Sequence, residues 1–127
     1  LNKPAILKAI EKLEEFGYLN DLNYAISYIE SRTYGKNRIF YNLFQKGIDR
    51  GIVEKAYLAL DEEKKENIDD TKLEKLIEKN SKKINVSNKR DEKKMKEEQK
   101  LIQYLARQGF SLDKIFKKLK EYKENNE

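Results

Sequence analysis

Along most of the chain, apolar residues return every three to four positions, the spacing of one face of an α-helix, and the polar breaks between these runs predict seven helices. The first starts at Pro4, a residue suited to a first helical turn, and carries Ile6, Ala9, Ile10 and Leu13. It is expected to stop at Phe16-Gly17, with Tyr18 to Asn20 as a turn and Asp21 as the N-cap of the next helix. That second helix carries Tyr24, Ala25, Tyr28 and Ile29 and ends near Tyr34-Gly35, and the third sets Ile39, Leu43 and Phe44 on one face up to Lys46-Gly47. Ile48 then packs back, Asp49 caps, and the fourth helix runs through Val53, Ala56, Tyr57 and Leu60. Residues 61–72 read as an acidic joint. Leu73, Leu76, Ile77 and Ile84 mark a fifth helix that fades through Asn80 to Lys83, and residues 85–94 read as a polar loop with Asn85, Ser87 and Asn88 as loop formers. Met95, Leu101, Ile102 and Leu105 mark the sixth, ending at Gln108-Gly109. After Phe110 and a capping Ser111, the seventh carries Ile115, Phe116, Leu119 and Tyr122, with a frayed tail from Lys123. No stretch of four or more residues alternates cleanly, so strands are not predicted.

The pattern repeats. Leu43-Phe44-Gln45-Lys46-Gly47-Ile48-Asp49 is echoed 62 residues later by Leu105-Ala106-Arg107-Gln108-Gly109-Phe110-Ser111, and Val53, Tyr57 and Leu60 return as Ile115, Leu119 and Tyr122. A shift of 47 sets Leu1, Asn2, Ile6, Ala9, Ile10 and Leu13 on Ile48, Asp49, Val53, Ala56, Tyr57 and Leu60. Recurrence at fixed spacing is the signature of repeated supersecondary units. The expected fold is all-α: tandem three-helix repeats stacked in a row. Residues 1–20 hold the last helix of a truncated first repeat, 21–62 the second repeat, and 63–127 the third, with the polar loop near 85–94. Gly17, Gly47 and Gly109 are read as helix caps at positive φ, because no glycine-rich loop surrounds them.

Composition agrees with a thin core. Only 38% of the 127 residues are hydrophobic against 40% charged, which suits units that lean on their neighbours alone. The chain has 28 Lys and Arg, 23 Asp and Glu, and a net charge of +5, a modest excess that favours nucleic acid or an acidic protein surface as partner. It contains no cysteine and no histidine, which removes thiolate and imidazole metal ligands, Cys nucleophiles and the usual general base. Carboxylate pairs such as Glu14-Glu15 and Asp69-Asp70 lie in polar runs with nothing to raise a pKa, so no enzyme and no cofactor is expected. No apolar stretch approaches the ~20 residues of a membrane span. Leu1-Asn2-Lys3-Pro4 is not a signal peptide and lacks an initiator Met, so the chain is expected to be a cytoplasmic fragment.

Several segments together resemble the RecX family. Gly17-Tyr18-Leu19-Asn20-Asp21, then Tyr24-Ala25, Tyr28-Ile29 and Arg32, are similar to its Gly-Tyr-Leu-Asp-Asp turn and the helix that follows. Gly35, Arg38-Ile39, Leu43, Lys46-Gly47-Ile48 and Val53-Glu54-Lys55-Ala56 resemble the next two helices, and Tyr104 to Ser111 resembles its Leu-x-Arg-Arg-Gly-Phe-Ser element. The resemblance covers residues 5–60 and 101–119 and rests on order and spacing. Asn20, Lys36 and Gln108 depart from the family's commoner residues. The resemblance implies tandem three-helix units in an elongated, curved array and a regulator of the RecA recombinase in recombination, DNA repair and the SOS response; the chain is expected to be a monomer. Such a protein seats itself in the groove of the RecA filament on single-stranded DNA and restrains ATPase, strand exchange and co-protease activity.

Basic residues at helix ends and turns are the candidate contacts: Arg32, Lys36, Arg38, Lys46 and Arg50 in the middle unit, with Arg107, Lys117 and Lys118 in the last. Arg is favoured because its planar fork binds carboxylate or phosphate at two points. Tyr34 and Tyr41 interleave with this group and are candidates for stacking on a base, whereas Tyr24, Tyr28 and Tyr57 are read as core. Lys82 to Lys100 carries eight basic and four acidic residues and is read as a solvated mixed-charge helix. The alternative reading is a basic helical module that binds DNA directly, without RecA.

Overall fold

A computed structural model describes residues 3–87 and 89–126, and of residues 3–5, 10 and 13 the backbone alone. Among the described residues there are six α-helices and no strand: α1 (Lys3–Ser31), α2 (Lys36–Gln45), α3 (Arg50–Lys64), α4 (Ile68–Lys79), α5 (Glu92–Arg107) and α6 (Leu112–Asn125), with a 3₁₀ turn at Ser81–Lys83. The expectations for Leu1, Asn2 and Asn88, and for the side chains of Ile10 and Leu13, lie outside the described residues.

The first two expected helices are one. α1 runs unbroken through Gly17, so that glycine is helix interior and not a cap, and the boundary expected between residues 20 and 21 falls inside the helix. The reason is the register of the following residues: Tyr18, Leu22, Ala25 and Ile29 fall at i, i+4, i+7 and i+11 on one face. Ala25 and Ile29 on that face are fully buried with residues of α3. The expected joint at 61–72 shrinks to residues 65–67, because α3 continues to Lys64 and Asn67 caps α4 by accepting from the Asp70 amide at 3.0 Å. Likewise Asp91 accepts from the amides of Lys93 and Lys94, so α5 begins at Glu92, inside the expected 85–94 loop.

The 62-residue echo is visible as geometry. Ile48 donates its amide to Leu43 O and Gly47 to Phe44 O; Phe110 donates to Leu105 O and Gly109 to Ala106 O. Gly47 and Gly109 sit at φ +85° and +106°, the left-handed cap that a side chain disfavours. Asp49 then caps α3 and Ser111 caps α6 through their side chains. The same turn therefore joins α2 to α3 and α5 to α6.

Buried side chains form two clusters. Ala25, Ile29, Ile39, Leu43, Ile48, Val53, Ala56, Tyr57 and Leu60 make one, from α1, α2, α3 and the turn at Ile48. Leu73, Leu76, Ile77, Ile84, Leu101, Leu105, Phe110, Ile115 and Leu119 make the other, from α4, α5, α6 and their connections. Phe44, Phe116 and Met95, expected on core faces, are exposed, as are Ile6 and Tyr24. Beside Tyr24, Phe44 and Phe116, the residues one position earlier or later (Ala25, Leu43 and Ile115) take the core instead.

Candidate functional site

The ten sequence-derived candidates separate into groups. Tyr34, Lys36 and Arg38 meet at the joint where the α1–α2 turn docks on the α5–α6 turn. There the Gly35 amide donates to Gln108 O at 2.7 Å and the Asn37 amide to Gly109 O at 3.0 Å. Arg38 places its guanidinium 3.9 Å from the centre of the Tyr34 ring and donates to Gln108 Oε1 at 3.4 Å. The Lys36 ammonium lies 5.0 Å from the Tyr57 ring centre.

Beneath this joint is a residue that reads as solvated in the sequence. Asp69, in the first turn of α4, is 3% exposed. Its carboxylate accepts from the Lys36 amide at 2.9 Å and from Lys114 Nζ at 3.1 Å. An anion at the first amide of α2 satisfies a donor that no local residue caps, and favours the positive end of the helix dipole. Lys114 also pairs with Asp70 at 3.0 Å. Burial opposes its charge, but the bonds to Asp70 and Asp69 prevail and hold its pKa above the usual value. Nearby, burial first, and then the charges of Asp69 and Asp61, push the Tyr57 hydroxyl upward, keeping it neutral. Lys72 donates to Ile29 O at 2.6 Å, and its burial lowers its pKa to about 8 despite the opposing pull of Asp69. Only the long-range contact of Asp69 with α2 and α6 gives it this role, and no local pattern carries that signal.

Tyr41, Lys46 and Arg50 lie on α2, its C-terminal turn and the start of α3. Tyr41 is exposed; Lys46 lies 5.7 Å from the Tyr24 ring centre; Arg50 pairs with Glu54 at 3.2 Å and stands 5.1 Å from the Phe40 ring centre. On α6, Lys117 is exposed, while Lys118 is held by Glu74 at 2.7 Å and Glu121 at 3.4 Å. The bond to Glu74 keeps its pKa above the usual value.

Arg32 and Arg107 border two concavities. Arg32, 5.0 Å over the Tyr28 ring, lines one of about 410 Å³ between the end of α1 and α4. Arg107 lines one of about 420 Å³ between α4 and α5 with Lys79, Lys83, Lys100 and Tyr104. Leu76 and Lys79 belong to both. A signal for this surface is present in the sequence, since Lys72, Lys75 and Lys79 fall at i, i+3 and i+7. No group of His, Cys, Asp or Glu among the described residues could hold a metal ion, and no helix among them is long and apolar enough to cross a membrane.

Comparison with known proteins gives a consistent result. The family described as RecX, second three-helix domain, matches residues 20–56. The regulatory protein RecX of Clostridium acetobutylicum is 35% identical over 98% of this chain and 58% of its own length. That of Clostridium perfringens strain SM101 is 36% identical over 85% of the chain and 49% of its length, and that of Clostridium botulinum strain Alaska E43 31% over 94% and 54%. The chain thus spans about half the length of the curated relatives it matches. No solved structure matches it.

Proposed function

Because the chain belongs to the RecX family, we propose that it regulates the RecA recombinase by binding the RecA filament on single-stranded DNA. It lies in the filament groove and restrains ATPase, strand exchange and co-protease activity. The observation that carries this reading is the likeness to regulatory proteins named RecX along nearly the whole chain. The family match over residues 20–56 also spans seven of the ten candidate contacts, from Arg32 to Arg50.

The mechanism is shape and charge. Two short three-helix units offer a large surface for their mass, so many weak contacts with successive filament subunits add through high effective concentration. Attraction between the basic contacts and DNA or acidic protein weakens as salt rises. Arg32, Tyr41, Lys46, Arg50, Arg107 and Lys117 are exposed to a partner, Arg50 through its pair with Glu54. Tyr34, Lys36, Arg38 and Lys118 contribute by holding helices in place as well.

The test is RecA-dependent ATP hydrolysis on single-stranded DNA with the 127-residue chain added. Inhibition at substoichiometric ratio, fading with salt, is the expected result. Unchanged hydrolysis at both low and moderate salt would sink the reading. Binding to bare DNA as tight as to RecA-coated DNA would replace it with the direct DNA binder.

A further inference from the structure

We infer that the groove along α4 is a track for the phosphodiester backbone of single-stranded nucleic acid, with Tyr104 as a platform for a base. Lys72, Lys75 and Lys79 stand on one face of α4, three and four residues apart. From α5, Lys100, Tyr104 and Arg107 fall at i, i+4 and i+7 and face the same hollow. The two concavities share Leu76 and Lys79 in their linings and so adjoin along α4, together making up the furrow.

Charge is concentrated there. Eight basic side chains and two carboxylates line the furrow, an excess of six where the whole chain nets +5. The α4–α5 half has no carboxylate in its lining. Among the described residues, none of Lys75, Lys79, Lys83, Lys100 and Arg107 forms an ion pair. Three of the five α6 lysines are instead held by carboxylates: Lys114 by Asp69 and Asp70, Lys118 by Glu74, and Lys123 by Glu98 at 2.6 Å. Within the furrow Lys72 serves the fold, donating to Ile29 O at 2.6 Å, while Lys75, Lys79, Lys83, Lys100 and Arg107 are left open. The helix dipole accounts for Lys79 and Arg107 in their last turns, but not for Lys75 and Lys100 in helix interiors.

The shape selects the ligand. A duplex reader inserts a protruding helix into a DNA groove, whereas a furrow receives a strand. Tyr104 is 37% exposed in the wall of the furrow, and base stacking on an aromatic ring within a cationic groove is how unpaired strands are held without regard to sequence. This inference rests on the reading above for its choice of DNA as the polyanion, but its test omits RecA, so the two fail separately.

The experiment is anisotropy of a labelled oligodeoxythymidylate titrated with the full chain across a salt series. Lys75→Glu/Lys79→Glu is expected to weaken binding about ten-fold or more and to flatten the dependence of log affinity on log salt, by about 0.7 for each phosphate left without its cation. Tyr104→Ala is expected to weaken it about five-fold or more. Lys8→Glu/Lys120→Glu carries the same charge change on exposed sites away from the furrow and should weaken binding clearly less. Circular dichroism monitors the fold, and Lys75→Gln/Lys79→Gln removes charge more gently if reversal unfolds the chain. Equal weakening by the furrow and control pairs would overturn the inference. So would polyglutamate competing as well as unlabelled oligonucleotide with Tyr104→Ala silent, which would assign the furrow to an acidic protein. Oligonucleotide binding without inhibition of RecA would keep the track and remove the regulator, and inhibition without binding would do the reverse.

Discussion

Gly35 and Gly109 stand backbone to backbone across the joint, and neither position has room for a Cβ. A methyl on Gly35 would run into the backbone of Gly109 and Phe110; one on Gly109 would run into Arg38. Three glycines should therefore respond differently to alanine. Gly35→Ala is expected to cost about 1–3 kcal/mol by overpacking. Gly47→Ala, with open space around it but φ at +85°, should cost about 1–2 kcal/mol. Gly17→Ala, in helix interior with nothing nearby, should stabilise by about 0.5–1 kcal/mol. Urea midpoints at constant slope decide the order, and a stabilising Gly35→Ala would contradict the joint.

Neighbouring aspartates should also part company. Asp69→Ala strips the α2 amide of its acceptor and Lys114 of a partner, a loss of about 2–3 kcal/mol. Asp70 is a third exposed and keeps only the Lys114 pair, so Asp70→Ala should cost less than about 1 kcal/mol. Thermal unfolding of the two variants checks this, and equal shifts would mean that Asp69 is not the cap.

Lys72 gives a dependence on pH. Its folded pKa of about 8 lies below the unfolded value of 10.5, so between those values the unfolded chain binds more protons and this residue's contribution to stability rises with pH. Below pH 8 the full cost of burying its charge is present. Lys72→Met removes that cost. The advantage of this variant over the parent should therefore be greatest near pH 7 and shrink steadily toward about pH 10. Paired denaturation curves across that range measure it, and a constant gap would show that Lys72 is not depressed.

Arg32→Glu and Arg38→Glu separate contact from support. Arg32 is exposed and stands farther from its ring, 5.0 Å over Tyr28 and with no side-chain hydrogen bond among the described residues, so its reversal should lower RecA inhibition with the smaller change in melting temperature. Arg38 stacks on Tyr34 and reaches Gln108, so its reversal should also cost about 0.5–1 kcal/mol by removing the cation–π stacking. Identical melting shifts in the two would remove the distinction.

The helical fold is legible in the sequence because it depends on local spacing. The turns at Gly47 and Gly109 are readable for the same reason, since a glycine, a large apolar residue and a small cap act within seven positions. Gly17 carries the same local signal and misleads, because it keeps a helical φ and α1 continues through it to Ser31. Asp69 reads as solvated since its partners lie 33 and 45 residues away. Arg107 is recognisable by its place at a helix end; its companions Lys79, Lys83 and Lys100 need the meeting of α4 with α5.

The start of α2 is finished by atoms that come later in the chain: Asp69, Gln108 and Gly109 supply the acceptors for its first amides and the turn before it. During refolding, the N-terminal turn of α2 has its acceptors only once the end of α5 is in place. It should be the last segment of its cluster to gain protection from hydrogen exchange, and the first to lose it. The two cores should therefore melt in a single calorimetric transition, since separating them unlatches a helix that belongs to the first and is closed by the second.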